Sequence, residues 1–217
     1  MDNIKQWLAE RKTIYIMLAL LYDGKIDQAL EIIRENDLLQ NFAAYIDNTL
    51  ISVGSGKVIK EIDENQNNND YRALISNDYQ RLFVGPDEIL APLWESVYKT
   101  KDKLLFGEIE LEVRRFYNSV ELDVKDSEPA DYLPFQLSFM SRLCNIDENN
   151  NVKDINKSLV KQSDFLKEHL LSWTYSWVED VSKNAKILFW SGFAQITRGW
   201  LENDLNEIER VIRIYYN

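Results

Sequence analysis

Two carboxylates in this chain sit where residue type and spacing suggest recognition chemistry. Glu95 lies in Ala91-Pro92-Leu93-Trp94-Glu95-Ser96-Val97-Tyr98, just after Tyr79-Gln80-Arg81-Leu82-Phe83-Val84-Gly85-Pro86; Asp131 lies in Glu128-Pro129-Ala130-Asp131-Tyr132-Leu133. Pro86 and Pro92 lack a backbone N–H and push Gly85 and Ala91 out of the helical region. The helix carrying Leu82 and Phe83 should therefore stop at Gly85. A stiff loop then presents Trp94 and Tyr98, four residues apart, close to Glu95. Exposed apolar loops of this kind are costly unless their surface is used. The structural alternative is a buried loop that packs two helices together.

The full chain of 217 residues carries 25 basic and 36 acidic side chains, a net charge of −11. Such a field repels nucleic-acid backbones and anionic lipid and favours cationic partners, basic peptides among them. It also simply keeps a protein soluble. No apolar run approaches the roughly 18 residues that span a bilayer, and the N-terminus has neither signal-peptide nor transit-peptide character. The one cysteine, Cys144, cannot form an intrachain disulfide and fits a reducing compartment. These features point to a cytoplasmic protein without stable membrane insertion.

Catalytic readings find little support. The one histidine, His169, lies between Leu166 and Leu170 on an apolar stripe, where a structural bond across helices is expected. A single Cys and a single His make no usual zinc site, and the Glu-x-x-His pairs of di-iron bundles are absent. Gly54-Ser55-Gly56-Lys57 lacks the spacing of a phosphate loop, with Ile51 and Val58 at the required positions, and reads as a helix terminus and turn. Glu108, Glu110 and Glu112 alternate in direction around a helix and read as a solvated face. No enzyme activity and no cofactor are expected.

The elements that must position the two carboxylates are helical. Ile4, Trp7, Leu8, Arg11, Tyr15, Leu18 and Tyr22 share one stripe ending at Gly24. Further helices are expected from Ile26 to Ile33, over 38–52 with an end at Gly54–Gly56, and from Asp70 to Phe83, with a solvated loop over 61–70. Beyond the proline loop the pattern gives helices over 104–118, 132–144 (capped by Asp131), 159–181 with one break, 188–201 and 205–216. Segment 120–130 reads as a connector and a possible hinge, and 147–154 as a loop. No strand alternation or internal repeat is present. The expectation is one all-α domain over residues 1–217, a bundle of about ten helices.

The stretch from Tyr79 to Tyr98 resembles the signature region of the TorD/DmsD-like chaperones, redox-enzyme maturation proteins whose pattern runs Leu-Phe, Gly-Pro, then Pro-Pro-Trp-Glu-Ser-Val-Tyr. Glu128-Pro129-Ala130-Asp131-Tyr132-Leu133 is similar to their second motif, Glu-Pro-x-Asp-His-Leu. Phe165, His169, Leu170 and Trp173 resemble a weaker third element. Leu93 replaces a proline and Tyr132 a histidine, so a titrating role at that second position is lost here.

The resemblance implies a cytoplasmic chaperone that binds the twin-arginine signal peptide, or the apo form, of the catalytic subunit of a molybdopterin oxidoreductase. A guanidinium-bearing, partly apolar peptide needs carboxylates beside an apolar groove. Glu95, Glu128 and Asp131 are the candidate carboxylates. Tyr79, Leu82, Phe83, Trp94, Tyr98 and Tyr132 are the candidate groove, with Pro86, Ser96 and Pro129 shaping its edges. Structural roles compete with these: a cap for Asp131, an internal salt bridge for Glu95, and core packing for Trp94 and Tyr98. Other functions stay open, namely a helical adaptor for a nitrate-reductase-like enzyme without signal-peptide binding, or a GTP-responsive protein. Both a monomer and a dimer formed by exchange of the C-terminal helices are compatible with the sequence.

Overall fold

The computed structural model describes residues 2–86, 88–102, 105–125, 127–145 and 152–215. Eleven α-helices run through them: α1 (Asp2–Tyr22), α2 (Ile26–Glu35), α3 (Leu38–Tyr45), α4 (Thr49–Glu64), α5 (Tyr71–Tyr79), α6 (Glu95–Lys99), α7 (Glu108–Asn118), α8 (Leu133–Leu143), α9 (Val152–Phe165), α10 (Leu171–Asn184) and α11 (Leu188–Tyr215). The all-α expectation holds. Among the described residues the one strand-like pairing is an isolated antiparallel bridge between Trp94 and Tyr132.

Several boundaries differ from the sequence expectation, each for a local reason. The segment 38–52 is two helices, because Asn48 is extended and its side chain accepts from Leu50 N and Ile51 N at 2.9 and 3.2 Å, starting α4 afresh. Gly54-Ser55-Gly56-Lys57 therefore lies inside α4 and ends nothing. Gly54 is there for closeness: a Cβ on it would stand 2.6 Å from Gly192 O of α11, and one on Gly192 would stand 2.6 Å from Val58 Cγ2. α4 and α11 consequently pack backbone to backbone. The two expected C-terminal helices are one, since nothing at 202–204 breaks the pattern; its 28 residues extend about 42 Å. α9 begins at Val152, earlier than 159, and its break is a π turn (Leu166–Leu170) that leads into α10. Leu104, Asp147 and Tyr216 lie outside the described residues.

α7 begins at Glu108 rather than 104, α4 runs on through Glu64 into the expected loop, and Glu110, expected on a solvated face, is buried against Arg114 and Ala130 N. The turns at the two positive-φ glycines fall where expected. α1 stops before Gly24, whose φ of +75° suits glycine. α5 continues as a π turn (Gln80–Val84) that ends at Gly85, φ +97°, ahead of Pro86. The described residues of segment 120–130 carry no helix; Arg114 of α7 ties the segment down through Val124 O and Glu128 O.

The core is unusually aromatic. Tyr22, Tyr79, Phe83, Trp177 and Trp190 form one ring cluster with centroids 5.1–6.4 Å apart. It joins α1, α5, α10 and α11, and the proline loop leaves directly from it.

Candidate functional site

The π turn places Leu82 and Phe83 fully inside, and Leu82 O accepts from Ala91 N at 2.8 Å. That bond closes the proline loop on itself and delivers Leu93 and Trp94 to the start of α8. There Leu133 N donates to Leu93 O at 2.8 Å and Glu95 N to Asp131 O at 3.2 Å. The two sequence motifs thus meet as a short antiparallel pair, with the Trp94 and Tyr132 rings stacked at 5.3 Å and 29°.

Beneath that pair is a buried polar centre. Asp131 Oδ2 accepts from Ser96 N at 2.8 Å, so Asp131 caps α6 rather than the helix that follows it. The N-cap position of α8 is Tyr132, extended with ψ 126°, so Asp131 lies one residue too early to cap α8 and turns to the start of α6 instead. Glu95 takes Gln136 Nε2 on Oε2 at 2.6 Å, and on Oε1 Lys99 Nζ at 2.8 Å with His169 Nδ1 at 3.0 Å. Glu95, Ser96 and Asp131 have no exposed surface at all. Asp131 Oδ1, Ser96 Oγ and Gln136 Oε1 lack partners. Burial, with Glu95 adding repulsion and Ser96 opposing, raises the Asp131 carboxyl above its ordinary range.

These positions revise the expected roles. Glu95 and Asp131 do not rim an open groove in this structure; they are enclosed, and Glu95 already has internal donors. Tyr79, Leu82 and Phe83 are also core, with the Tyr79 hydroxyl held on Tyr22 O at 2.8 Å. The surface of the site belongs to Pro86, which is exposed, and to Trp94, Tyr98, Glu128, Pro129 and Tyr132, which are half-buried. Tyr98 stacks on Trp173 at 5.3 Å. Burial raises the Tyr132 phenol well above its ordinary pKa, so it stays neutral across the physiological range. His169 is buried and bridges helices, as its apolar stripe suggests.

Gln136 and Lys99 were not expected at this centre. A glutamine on the otherwise apolar face of α8 is the signal that would have found the first. A second buried network was missed altogether. Arg11 of α1 pairs with Asp204 of α11 at 2.5 Å, with Gln162 at 2.6 Å, and Tyr15 donates to Asp204 at 2.6 Å. Burial alone would lower the Arg11 pKa, but Asp204, with Cys144 and Tyr15 adding to it, raises it overall. The signal was a lone arginine on an apolar stripe, which requires a buried carboxylate elsewhere.

Among the described residues no cluster of His, Cys, Asp and Glu could hold a metal ion, and no helix is long and apolar enough to cross a membrane. Residues 36–179 match the family described as nitrate reductase delta subunit. A probable Tat proofreading chaperone DmsD from Haemophilus influenzae is 30% identical over 146 residues, covering 65% of this chain and 66% of that protein. A chaperone protein TorD from Vibrio parahaemolyticus is 23% identical over 90% of this chain and 93% of its own length. The Tat proofreading chaperone DmsD of Salmonella typhimurium is 25% identical over 55% of each chain.

Proposed function

Because the chain belongs to the nitrate reductase delta subunit family, we propose that it is a cytoplasmic maturation chaperone with no catalytic step of its own. Its client is the catalytic subunit of a molybdopterin oxidoreductase, and it holds that subunit's twin-arginine leader until the cofactor is in place. Relatives named as proofreading chaperones support this reading. The observation that carries it is the locked pair Trp94–Tyr132. Backbone hydrogen bonds and a buried polar centre hold two half-open, stacked aromatic rings rigidly, so little ordering is lost when an apolar segment lies on them. Glu128 and the net charge of −11 attract the paired guanidiniums. Glu95, Ser96 and Asp131 act from below, as positioning residues.

The test is calorimetric titration with a synthetic peptide carrying two adjacent arginines ahead of an apolar stretch. Trp94→Ala should weaken binding about tenfold or more, the cost of losing one aromatic anchor, while far-UV helicity stays unchanged. Equal affinity in the variant would remove the aromatic pair from the site.

The enclosure of Glu95 and Asp131 favours one second reading, an adaptor that grips the folded client without reading a leader. Pull-downs with the leader alone and with the leaderless enzyme separate the two.

A further inference from the structure

An acid-rimmed aromatic groove does exist on this molecule, away from the motif surface. It lies between the N-terminal half of α1, α3 and the middle of α11, and has a volume of about 1010 Å³. Trp7, Phe42 and Trp200 line it, the last two with ring centroids 6.2 Å apart, and Tyr45 stands at its edge with 83% of its surface exposed. Its carboxylates are Glu10, Asp47 and Glu207. Among the described residues Glu10 is bonded to the Gln6 amide alone, at 3.0 Å, and Asp47 makes no ion pair. Glu207 shares its charge with Arg210 at 2.6 Å.

The one cation in the lining, Arg11, is neutralised internally by Asp204. Two buried donors in the lining have no acceptor: Nη1 of Arg11, a residue 1% exposed, and Nε1 of Trp200, 5% exposed. A buried N–H without a partner costs free energy that a ligand carbonyl would recover. An anionic ligand would meet three carboxylates here, so charge selects against nucleotides and phosphates. Trp7 is fifteen residues from Tyr22 along α1, about 22 Å, so this groove is separate from the Trp94–Tyr132 surface, where Tyr132 reaches Tyr22 O. Two of its three walls, α1 and α11, fall wholly or largely outside residues 36–179.

We propose that this groove is the docking site for the basic part of a client's leader peptide. Arginine or lysine side chains pair with Glu10 and Asp47, apolar side chains lie on Trp7, Phe42 and Trp200, and a main-chain carbonyl accepts from Trp200 Nε1. The inference rests on the client-peptide reading above and adds where the charge is read.

The test uses the full chain and a fluorescently labelled synthetic peptide with two adjacent arginines followed by an apolar stretch, titrated by anisotropy. The double variant Glu10→Lys/Asp47→Lys, both positions exposed, should bind about tenfold or more weakly, and a peptide with glutamines for arginines should lose its preference for the wild type. Tyr45→Ala should weaken binding less, and helicity reports that each variant folds. Unchanged affinity in the double variant alongside a loss in Trp94→Ala overturns the groove and leaves the chaperone reading standing. No binding of the peptide by the wild type overturns both. A photo-crosslinking group placed at position 45 should label the peptide, and labelling confined to a probe at position 86 counts against the groove.

Discussion

Two of the molecule's buried polar centres are built to different standards. In the Arg11 centre the charges balance, and Asp204 has both oxygens occupied, by Arg11 and by Arg11 with Tyr15. It clamps α1 to α11 across 193 residues of sequence. In the motif centre two carboxylates share one enclosed space, and three polar atoms go unpaired. One centre is a brace. The other spends stability to hold a surface feature, the Trp94–Tyr132 pair, in a fixed pose, which is a familiar cost of functional sites.

The largest expected effect breaks the brace. Arg11→Met leaves the Asp204 carboxylate buried without its cation and should cost about 3–5 kcal/mol in urea unfolding. Adding Asp204→Leu should recover most of that loss, because the uncompensated charge is then gone as well. A loss no greater than that of an ordinary surface substitution would show that solvent reaches Asp204.

At the motif centre the corresponding change should be milder. Glu95→Ala leaves Gln136 Nε2 only its 3.4 Å bond to Asp131 O and strands Nδ1 of His169, and should cost about 2–3 kcal/mol. It should also weaken peptide binding, since the Trp94–Tyr132 pair loses its floor. Equal stability loss with intact binding would make Glu95 a brace like Arg11.

The same contrast explains how far the sequence could be read. Helical periodicity made the all-α architecture and the stop at Gly85-Pro86 legible, because those signals are local. The boundary at Asn48 was hidden by apolar residues on both sides, and Gly54 misled because glycine more often ends helices than packs them face to face. The meeting of the motif containing Trp94 with that containing Tyr132 followed from family resemblance. Burial of Glu95 did not, because its partners Gln136 and His169 lie 41 and 74 residues away. Polarity along the chain says a carboxylate wants a partner; it does not say whether the partner is solvent, a ligand or a distant side chain. The Arg11–Asp204 brace was illegible for the same reason.

The smallest expected effect concerns protonation, and it separates the two centres most finely. Burial raises the Asp131 carboxyl pKa in the folded chain above its unfolded value. The folded state therefore holds that proton more tightly. The resulting stability is fully present below the ordinary carboxylate range and is lost as pH rises through the raised folded value. Asp131→Asn cannot titrate, still offers an oxygen to Ser96 N, and replaces the unpaired Oδ1 with an amide N–H₂. The melting temperature of the wild type minus that of Asp131→Asn should accordingly fall as pH rises from acid towards neutral. At neutral pH the variant should be as stable as the wild type or up to about 1 kcal/mol more so, a typical net hydrogen-bond contribution. Parallel melting curves across that window would mean that Asp131 titrates as a free carboxylate, and that its enclosure costs the motif centre nothing.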